Sequence, residues 1–380
     1  MQRTNLERED VQNAPPESAI TADRVALASF RNYRSISLRL SSGFNVLSGP
    51  NAQGKTNFLE ALALIATTRL LRGQRDAEAI LEGEQKAHVE VELSSHSTTL
   101  AITLERGVKK RAAINGMFLP RAADLIGRLP CVCMTSVDME IARGEPSDRR
   151  MFMDMELSSL FPGYLRHLTA YKRALEQRNA LLRHNAGWVP EEQFEPWEVQ
   201  LAEHGIPIRQ ARQAYIKRLQ PLAQHVHSEM GRGETLAIDY VAKDDSQDIE
   251  ALRAVLTASR AHDGVRGGTG VGPHRDDLFI QIGGKDARLF GSQGQQRTSV
   301  IAIKLGSLQI AKQEFGRPPL LLLDDILSDL DERRRALLVD AVLEGAGQAV
   351  LTCTEASAAG EKILGQAAVF EVKAGEIRSL

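Results

Sequence analysis

The octapeptide Gly49-Pro50-Asn51-Ala52-Gln53-Gly54-Lys55-Thr56 carries the spacing G-x-x-x-x-G-K-T. Its glycines let the backbone curl until successive N–H groups point at one anion, and an ammonium and a hydroxyl complete the set. Such a loop suits a polyphosphate. Lys55 is expected to neutralise the β- and γ-phosphates of ATP and the Thr56 hydroxyl to ligate Mg²⁺, with Asn57 closing the cofactor-binding span Gly49–Asn57. A second constellation, Leu320-Leu321-Leu322-Leu323-Asp324-Asp325, ends an apolar run on two carboxylates. Four consecutive leucines need burial on both faces of a strand, where a carboxylate pair is costly unless it has a purpose. Beside a phosphate loop, Asp324 becomes the expected Mg²⁺ ligand and Asp325 the group that polarises the attacking water. Lys55 and Asp325 are the catalytic candidates.

The elements that must hold these residues are legible around them. Phe44–Leu47 reads as a strand, and Phe58, Leu59, Leu62, Ile65 and Ala66 recur at helical spacing between Thr56 and Leu71, the strand–loop–helix context a phosphate loop requires. Farther on, Ser292, Gly294 and Gln295 open a helix running from about Gly294 to Phe315, an anion-seeking N-terminus. Ser328-Asp329-Leu330-Asp331 follows the carboxylate pair. Phosphate loop, S-x-G-Q, Asp-Asp strand and S-x-L-D, in that order, resemble the ABC-type ATPase head. That resemblance implies that Ser292 and Gly294 contact the γ-phosphate of ATP held on Lys55 of a second copy, so that an ATP-dependent homodimer sandwiches two nucleotides. Most ABC heads place a glutamate where Asp325 stands. One methylene less shortens its reach to water, so slow hydrolysis is expected, with ATP acting as a timed clamp. At the usual switch-histidine position the chain has Thr352-Cys353-Thr354-Glu355, and Thr352 is the expected γ-phosphate sensor.

The remaining elements group into a nucleotide-binding part interrupted by helices. Val25–Phe30 and Ile36–Leu40 read as strands, as do His88–Leu93, Thr98–Glu105 and Arg111–Phe118, with a basic turn at Val108-Lys109-Lys110. After Pro146 the composition shifts to helical periodicity over Ser147–Asn185 and Pro196–Met230, split by Gly187-Trp188-Val189-Pro190. A strand at Leu236–Val241, a helix at Ile249–Arg260, a mobile glycine loop at Gly264–Gly272 and a hairpin at Gly283-Gly284 follow. Asp331–Leu343 is helical and Gln348–Leu351 a strand. The expected division is a frayed tail at 1–22, an ATPase part at 23–145, a helical lobe at 146–263 and a second ATPase part at 264–380. The fold class is α/β: an ABC-type, SMC-like P-loop ATPase head with a mixed sheet plus a compact helical lobe.

Ser292 lies 237 positions after Lys55 (292 − 55), too few for a long SMC coiled coil, and the helical segment shows no sustained heptads. Within that group the chain resembles the RecF family. The resemblance rests on Phe30-Arg31-Asn32-Tyr33, Asn51-Ala52-Gln53-Gly54-Lys55-Thr56-Asn57, Gly144-Glu145-Pro146-Ser147-Asp148-Arg149-Arg150, Val271-Gly272-Pro273-His274-Arg275-Asp276-Asp277 and Leu322 to Asp331. It implies ATP-dependent DNA binding and work with RecO and RecR that favours RecA loading onto gapped, SSB-coated DNA in repair and at stalled forks. In that frame Arg275 either orders the γ-phosphate region or bridges the dimer; read by itself, the tetrad His274–Asp277 is a charged turn capping a strand.

Composition bounds these readings. Of 380 residues, 47 are Lys or Arg and 49 Asp or Glu, so the formal charge of −2 shows no whole-chain nucleic-acid footprint. Locally the charge segregates. Arg166, Lys172, Arg173, Arg178 and Arg183, and then Arg209, Arg212, Lys217 and Arg218, flank an acidic stretch from Glu191 to Glu203. Lys172, Arg173, Arg178, Arg209, Arg212, Lys217 and Arg218 are therefore the candidate DNA contacts, with Arg69, Arg72 and Arg75, and Lys109, Lys110 and Arg111, as further basic groups. Aromatics at 5% favour contact with the DNA backbone, single- or double-stranded, over base stacking. Cys131, Cys133 and Cys353 read as core residues of a cytoplasmic protein. The N-terminus lacks the apolar region of a signal peptide, and no apolar run approaches the roughly 18 residues of a membrane span. A transport-type ABC subunit, a P-loop kinase and a structural ATP-gated scaffold are the competing readings. The helical lobe argues against the first, and the S-x-G-Q and S-x-L-D pair against the second.

Overall fold

Alternating apolar and polar residues build an antiparallel sheet from the first third of the chain. β1 (Ala22–Phe30) and β2 (Tyr33–Arg39) pair across the Arg31-Asn32 turn, while β3 (Phe44–Ser48), buried at every position, leaves for a second sheet. β4 (Lys86–Leu93), β5 (Thr99–Glu105), β6 (Val108–Ile114) and β7 (Met117–Phe118) complete the order β2-β1-β4-β5-β6-β7. Lys109 and Lys110, expected in a turn, lie on β6, and the expected strand Arg111–Phe118 is folded into a hairpin at Asn115-Gly116, both at positive φ. Asn-Gly is the pair such a tight turn favours. β8 (Cys131–Met134) joins the second sheet. This computed structural model describes residues 20–71, 75–94, 98–184, 190–231, 233–328 and 330–380; the expected N-terminal tail, apart from its last residues, and the breaker at Gly187–Val189 lie outside them.

The chain divides into two compact units, Met1–Thr135 with Leu308–Leu380, and Ser136–Ser307. In the second, Phe161 is extended ahead of Pro162, so the helix expected over Ser147–Asn185 becomes two, Pro146–Leu160 and Pro162–His184. Proline removes a donor and pushes the preceding residue out of the helical region. Next comes the helix Glu191–Met230, which contains Pro196, Pro207 and Pro221 and starts on two glutamates that suit its dipole. β9 (Leu236–Val241), β10 (Asp277–Ile282) and β11 (Lys285–Asp286) form a small antiparallel sheet against the helices Glu191–Met230 and Pro146–Leu160, and the helices Ile249–Ala258 and Arg260–Arg266 lie between β9 and β10 in the chain. The segment expected as a mobile glycine loop is partly helical and is tied down: Gly267 ends the helix at φ +67°, and the buried Thr269 gives its amide and hydroxyl to Asn179 Oδ1, each at 2.8 Å.

Back in the first unit, β12 (Leu320–Asp324), β13 (Gln348–Cys353), β14 (Ala367–Lys373) and β15 (Glu376–Ser379) complete a mixed sheet of order β15-β14-β3-β13-β12-β8, parallel except for β15. β12 and β13 are buried at every position, as the leucine run requires. The helix Lys55–Thr67 lies against strands of both sheets of this unit, with Phe58, Leu59, Leu62, Leu64 and Ile65 fully buried. Three neighbouring parallel strands, β3, β13 and β12, end on one side of the sheet, where ligands of such folds bind.

Candidate functional site

The phosphate loop leaves β3 and enters the helix at Lys55. Gly49 and Gly54 hold φ of +147° and +121°, values closed to a residue with a side chain, and a Cβ at Gly49 would lie 2.3 Å from the Val372 carbonyl. Pro50, Asn51 and Ala52 are exposed at the rim, whereas Gly54 and Lys55 are buried. The Lys55 ammonium donates to the carbonyls of Gly49 at 2.5 Å and Pro50 at 2.8 Å, so the cation sits across the mouth of its own loop.

The carboxylate end of β12 meets the loop directly. Thr56 Oγ1 donates to Asp324 at 2.8 Å from Oδ1 and 3.0 Å from Oδ2. From β13, Thr352 Oγ1 donates to Asp324 Oδ1 at 2.8 Å and accepts the Asp325 amide at 3.0 Å. The Thr352 hydroxyl, expected as a γ-phosphate sensor, is here hydrogen-bonded to both aspartates, to the Asp324 carboxylate and the Asp325 amide. Asp325 adopts φ +52°, a left-handed conformation that aspartate tolerates at some cost. Its carboxylate accepts the Ser328 hydroxyl at 2.6 Å, an orienting contact the sequence reading did not assign; Asp329 lies outside the described residues. A hydroxyl and a carboxylate converging at one point are hard oxygen donors of the kind Mg²⁺ takes, so Thr56 and Asp324 fit that ion. Behind them, Cys353 is buried and its thiol is pushed up to about 11 by desolvation, which leaves it inert.

Two further groups cradle the loop and had carried no role in sequence. Asn32 Nδ2, in the turn between β1 and β2, and Tyr33 OH, at the start of β2, donate to the carbonyls of Gln53 and Gly54, each at 2.9 Å. From the turn between β14 and β15, the Gly375 amide donates to the Gln53 carbonyl at 3.0 Å. Only the Phe30-Arg31-Asn32-Tyr33 resemblance pointed to the first, and nothing local pointed to the second.

In the second unit, Ser292 and Gly294 are exposed at the start of the helix Gln293–Phe315. Ser292 and Gln295 cap it reciprocally: the Ser292 amide donates to Gln295 Oε1 at 2.8 Å and the Gln295 amide to Ser292 Oγ at 3.3 Å. Gln295 Nε2 also donates to Glu234 at 2.6 Å, so its side chain is held locally. Arg275 is exposed, with Nε donating to the Thr269 carbonyl at 3.0 Å. Its neighbours are locked: Asp276, fully buried, accepts both Arg209 Nε at 2.8 Å and Arg209 Nη2 at 3.0 Å, and Asp277 is held bidentately by Arg149 at 2.8 Å. The tetrad is therefore more than a strand cap. His274 donates from Nε2 to the Thr269 carbonyl at 2.9 Å, which leaves Nδ1 to accept the Tyr171 hydroxyl at 2.6 Å. Burial holds this neutral ring down at about 4.

The candidate DNA contacts divide sharply. Arg178 is completely buried and donates to Glu198 at 3.2 Å and to Asp263, the Thr269 hydroxyl and the Leu256 carbonyl at 2.8 Å each. Arg209 holds Asp244 and Asp276, and Arg212 holds Asp154 at 2.7 Å, Tyr164 OH at 3.0 Å and the Pro273 carbonyl at 2.7 Å. These three arginines are internal struts, not a DNA face. Lys172, Arg173, Lys217 and Arg218 are exposed, Lys172 pairing with Asp154 at 3.3 Å. Glu198, within the acidic stretch Glu191–Glu203, is itself buried against Arg178 and Arg260; burial alone would raise its pKa, but these partners hold it below the usual carboxylate value. Of the other basic groups, Lys110 is tied to Asp76 at 2.9 Å, Arg69 and Arg75 are exposed, and Arg72 lies outside the described residues.

The chain is similar to known proteins in sequence and fold. The sequence pattern of the family described as RecF/RecN/SMC N terminal domain matches residues 21–375. The DNA replication and repair protein RecF of Symbiobacterium thermophilum is 40% identical over 87% of this chain and 90% of its own length. Its counterpart in Gloeobacter violaceus is 38% identical over 93% of this chain and 97% of its own. Among solved structures, that of the recombination mediator protein RecF with ATP in the RecFOR pathway superposes with a TM-score of 0.87 at 30% identity, covering 97% of this chain and 99% of the other. The Smc head domain of Pyrococcus furiosus, at TM-score 0.53 and 13% identity over 95% of this chain and 96% of that one, shares the fold.

Proposed function

Because this chain belongs to the RecF family of DNA replication and repair proteins, we propose that it is an ATP-gated DNA clamp of recombinational repair and replication-fork recovery. The observation that carries this reading is the hydrogen-bonded run Thr56–Asp324–Thr352–Asp325 at the ends of three adjacent parallel strands. It gathers two hydroxyls and the Asp324 carboxylate around one point beside the loop, with the Asp325 backbone amide tied to the same threonine. Lys55 exchanges its loop carbonyls for the β- and γ-phosphates of ATP, and Thr56 and Asp324 hold Mg²⁺, which supplies charge neutralisation to the phosphates. Asp325, oriented by Ser328 and by its amide bond to Thr352, accepts the proton of the attacking water.

A chain with one signature completes its site only with a second copy. Ser292 and Gly294 of one protomer cap the nucleotide bound at the partner's Lys55, and Arg275 joins them at that interface. The closed homodimer holds DNA, single- or double-stranded at gapped junctions, and with RecR- and RecO-type partners favours RecA loading. Slow hydrolysis at Asp325, stimulated by DNA, reopens it. Among the described residues no helix is long and apolar enough to cross a membrane.

The test is DNA binding by the unaltered protein and by Lys55→Met with ATP, ADP and no nucleotide, with sedimentation of Asp325→Asn alongside. Tight DNA binding and a doubled mass with ATP–Mg²⁺ alone, both lost in Lys55→Met, are expected. DNA binding indifferent to nucleotide, or an unchanged mass with ATP, refutes the clamp.

A further inference from the structure

We infer that Asn32 and Tyr33 are positioning residues for the phosphate loop, which aim the backbone amides of Gly54 and Lys55 at the polyphosphate by holding the opposite ends of the same peptide units. The inference rests on the ATP-binding reading above. In a trans peptide the carbonyl and the following N–H point in opposite directions across one rigid plane. The Gln53 carbonyl belongs to the Gly54 amide, and the Gly54 carbonyl to the Lys55 amide. Both carbonyls are held: Gln53 O accepts Asn32 Nδ2 at 2.9 Å and the Gly375 amide at 3.0 Å, and Gly54 O accepts Tyr33 OH at 2.9 Å together with the helical Phe58 amide at 3.0 Å. Both amides are thereby turned the other way, into the concave side of the loop.

The holders are themselves held. Asn32 Oδ1 accepts Asn57 Nδ2 at 2.8 Å, which sets the flip of its amide so that Nδ2 faces Gln53. The Gln53 side chain accepts the Ala374 amide at 2.8 Å, locking the loop to the turn between β14 and β15. Tyr33 is wholly buried, and burial pushes its phenol well above the usual range, so it stays a neutral donor. The approach leaves no slack. A Cβ on Gly54 would sit 2.7 Å from Asn32 Nδ2 and 2.9 Å from Tyr33 OH, and one on Gly375 would sit 2.6 Å from the Asn32 carbonyl. A phosphate loop floppy on this side would have to order itself on each binding event, and that ordering lowers affinity.

Two small changes test it in the full chain: Tyr33→Phe, which deletes one hydroxyl, and Asn32→Ala, which deletes the donor to Gln53 without adding a charge beside the polyphosphate. Each is measured for melting without ligand and for binding of ATP–Mg²⁺ and of inorganic tripolyphosphate–Mg²⁺, a probe that touches only the phosphate loop. Each variant is expected to lose affinity by about three- to tenfold, the worth of one hydrogen bond. Both ligands should weaken by the same factor, while the unliganded melting point moves by no more than about 4 °C. Affinity within twofold of the unaltered protein overturns the inference. So does a loss confined to ATP, which would place the effect at the nucleoside, or unliganded melting that collapses in both variants, which would make the contacts merely structural. No ATP binding by the unaltered protein would overturn the ATP-switch reading and this inference together; unaltered binding with unaffected variants overturns this inference alone.

Discussion

Replacing Arg178 by methionine separates a strut from a DNA contact. The guanidinium lies at 0% exposure and makes four hydrogen bonds, two of them to the carboxylates of Glu198 and Asp263. Methionine fills much of the volume but donates nothing. Glu198 keeps Arg260, whereas Asp263, also at 0% exposure, is left with the Ser259 hydroxyl and the Gly270 amide and no cation. Removing one partner of a buried ion pair costs about 3–5 kcal/mol, whereas an exposed pair contributes about 0–1 kcal/mol. For a unit spanning residues 136–307, each kcal/mol shifts the melting point by about 2–4 °C, so the loss is about 6–20 °C. Calorimetry on the unaltered protein and Arg178→Met reads this, with DNA titrations below the transition. The contrasting variant combines Arg173→Ala, Lys217→Ala and Arg218→Ala on exposed helix surface. It should melt within about 2 °C of the parent yet bind DNA more weakly, with a log–log salt slope shallower by about 0.9 per phosphate contact removed. An Arg178→Met protein that melts normally and loses DNA affinity would refute the strut argument.

Two other outcomes follow from the site and from the second unit. Asp325→Asn keeps the hydrogen-bonding shape beside Ser328 but cannot take a proton, so ATP binding should persist while turnover falls by about 10²–10⁴-fold; an equal loss of binding would show that the residue holds nucleotide instead. Acid should destabilise the second unit through His274, whose ring takes a proton at about 4 in the fold against 6.5 in an ordinary setting. The unfolded chain therefore binds the proton first. This contribution is fully present above about pH 6.5, is lost as pH falls towards 4 and is flat below, amounting to about 3 kcal/mol. Asp154 and Glu198 are held below their usual values, despite burial, mainly by Arg212 and Arg260 respectively, so their share disappears only at lower pH. Urea midpoints at pH about 7.5, 5.5 and 4.5 should fall for the parent and much less for His274→Gln; parallel declines would remove His274 from the account.

Charge was the weakest guide along the chain. Arg178, Arg209 and Arg212 look in sequence like the basic face of a helix, and Lys172 and Arg173 differ from them in no local property. What separates them is the angle at which each leaves its helix and the carboxylates delivered from distant segments: Asp263, Asp244, Asp276 and Asp154. Glu198 shows the same from the acidic side, since its partners Arg178 and Arg260 come from two other helices. The glycine loop failed similarly, because Thr269 is anchored by Asn179, far away in sequence.

The chemistry-bearing loops were legible because their function is written in backbone freedom and residue type over a few positions. Only glycine permits the φ of Gly49 and Gly54, only a leucine run can be buried on both faces, and a serine followed three residues on by glutamine caps a helix. The ATPase-head fold, the strand–loop–helix around Lys55 and the buried leucine strand ending at Asp324 are legible in the sequence by itself. Tertiary structure decided which arginines face solvent, that the Thr352 hydroxyl is hydrogen-bonded to both aspartates, and that Asn32, Tyr33 and Gly375 brace the loop. Each of these joins residues that only the folded sheets bring within hydrogen-bonding distance, and a bond of that kind leaves no periodic or local mark in the chain.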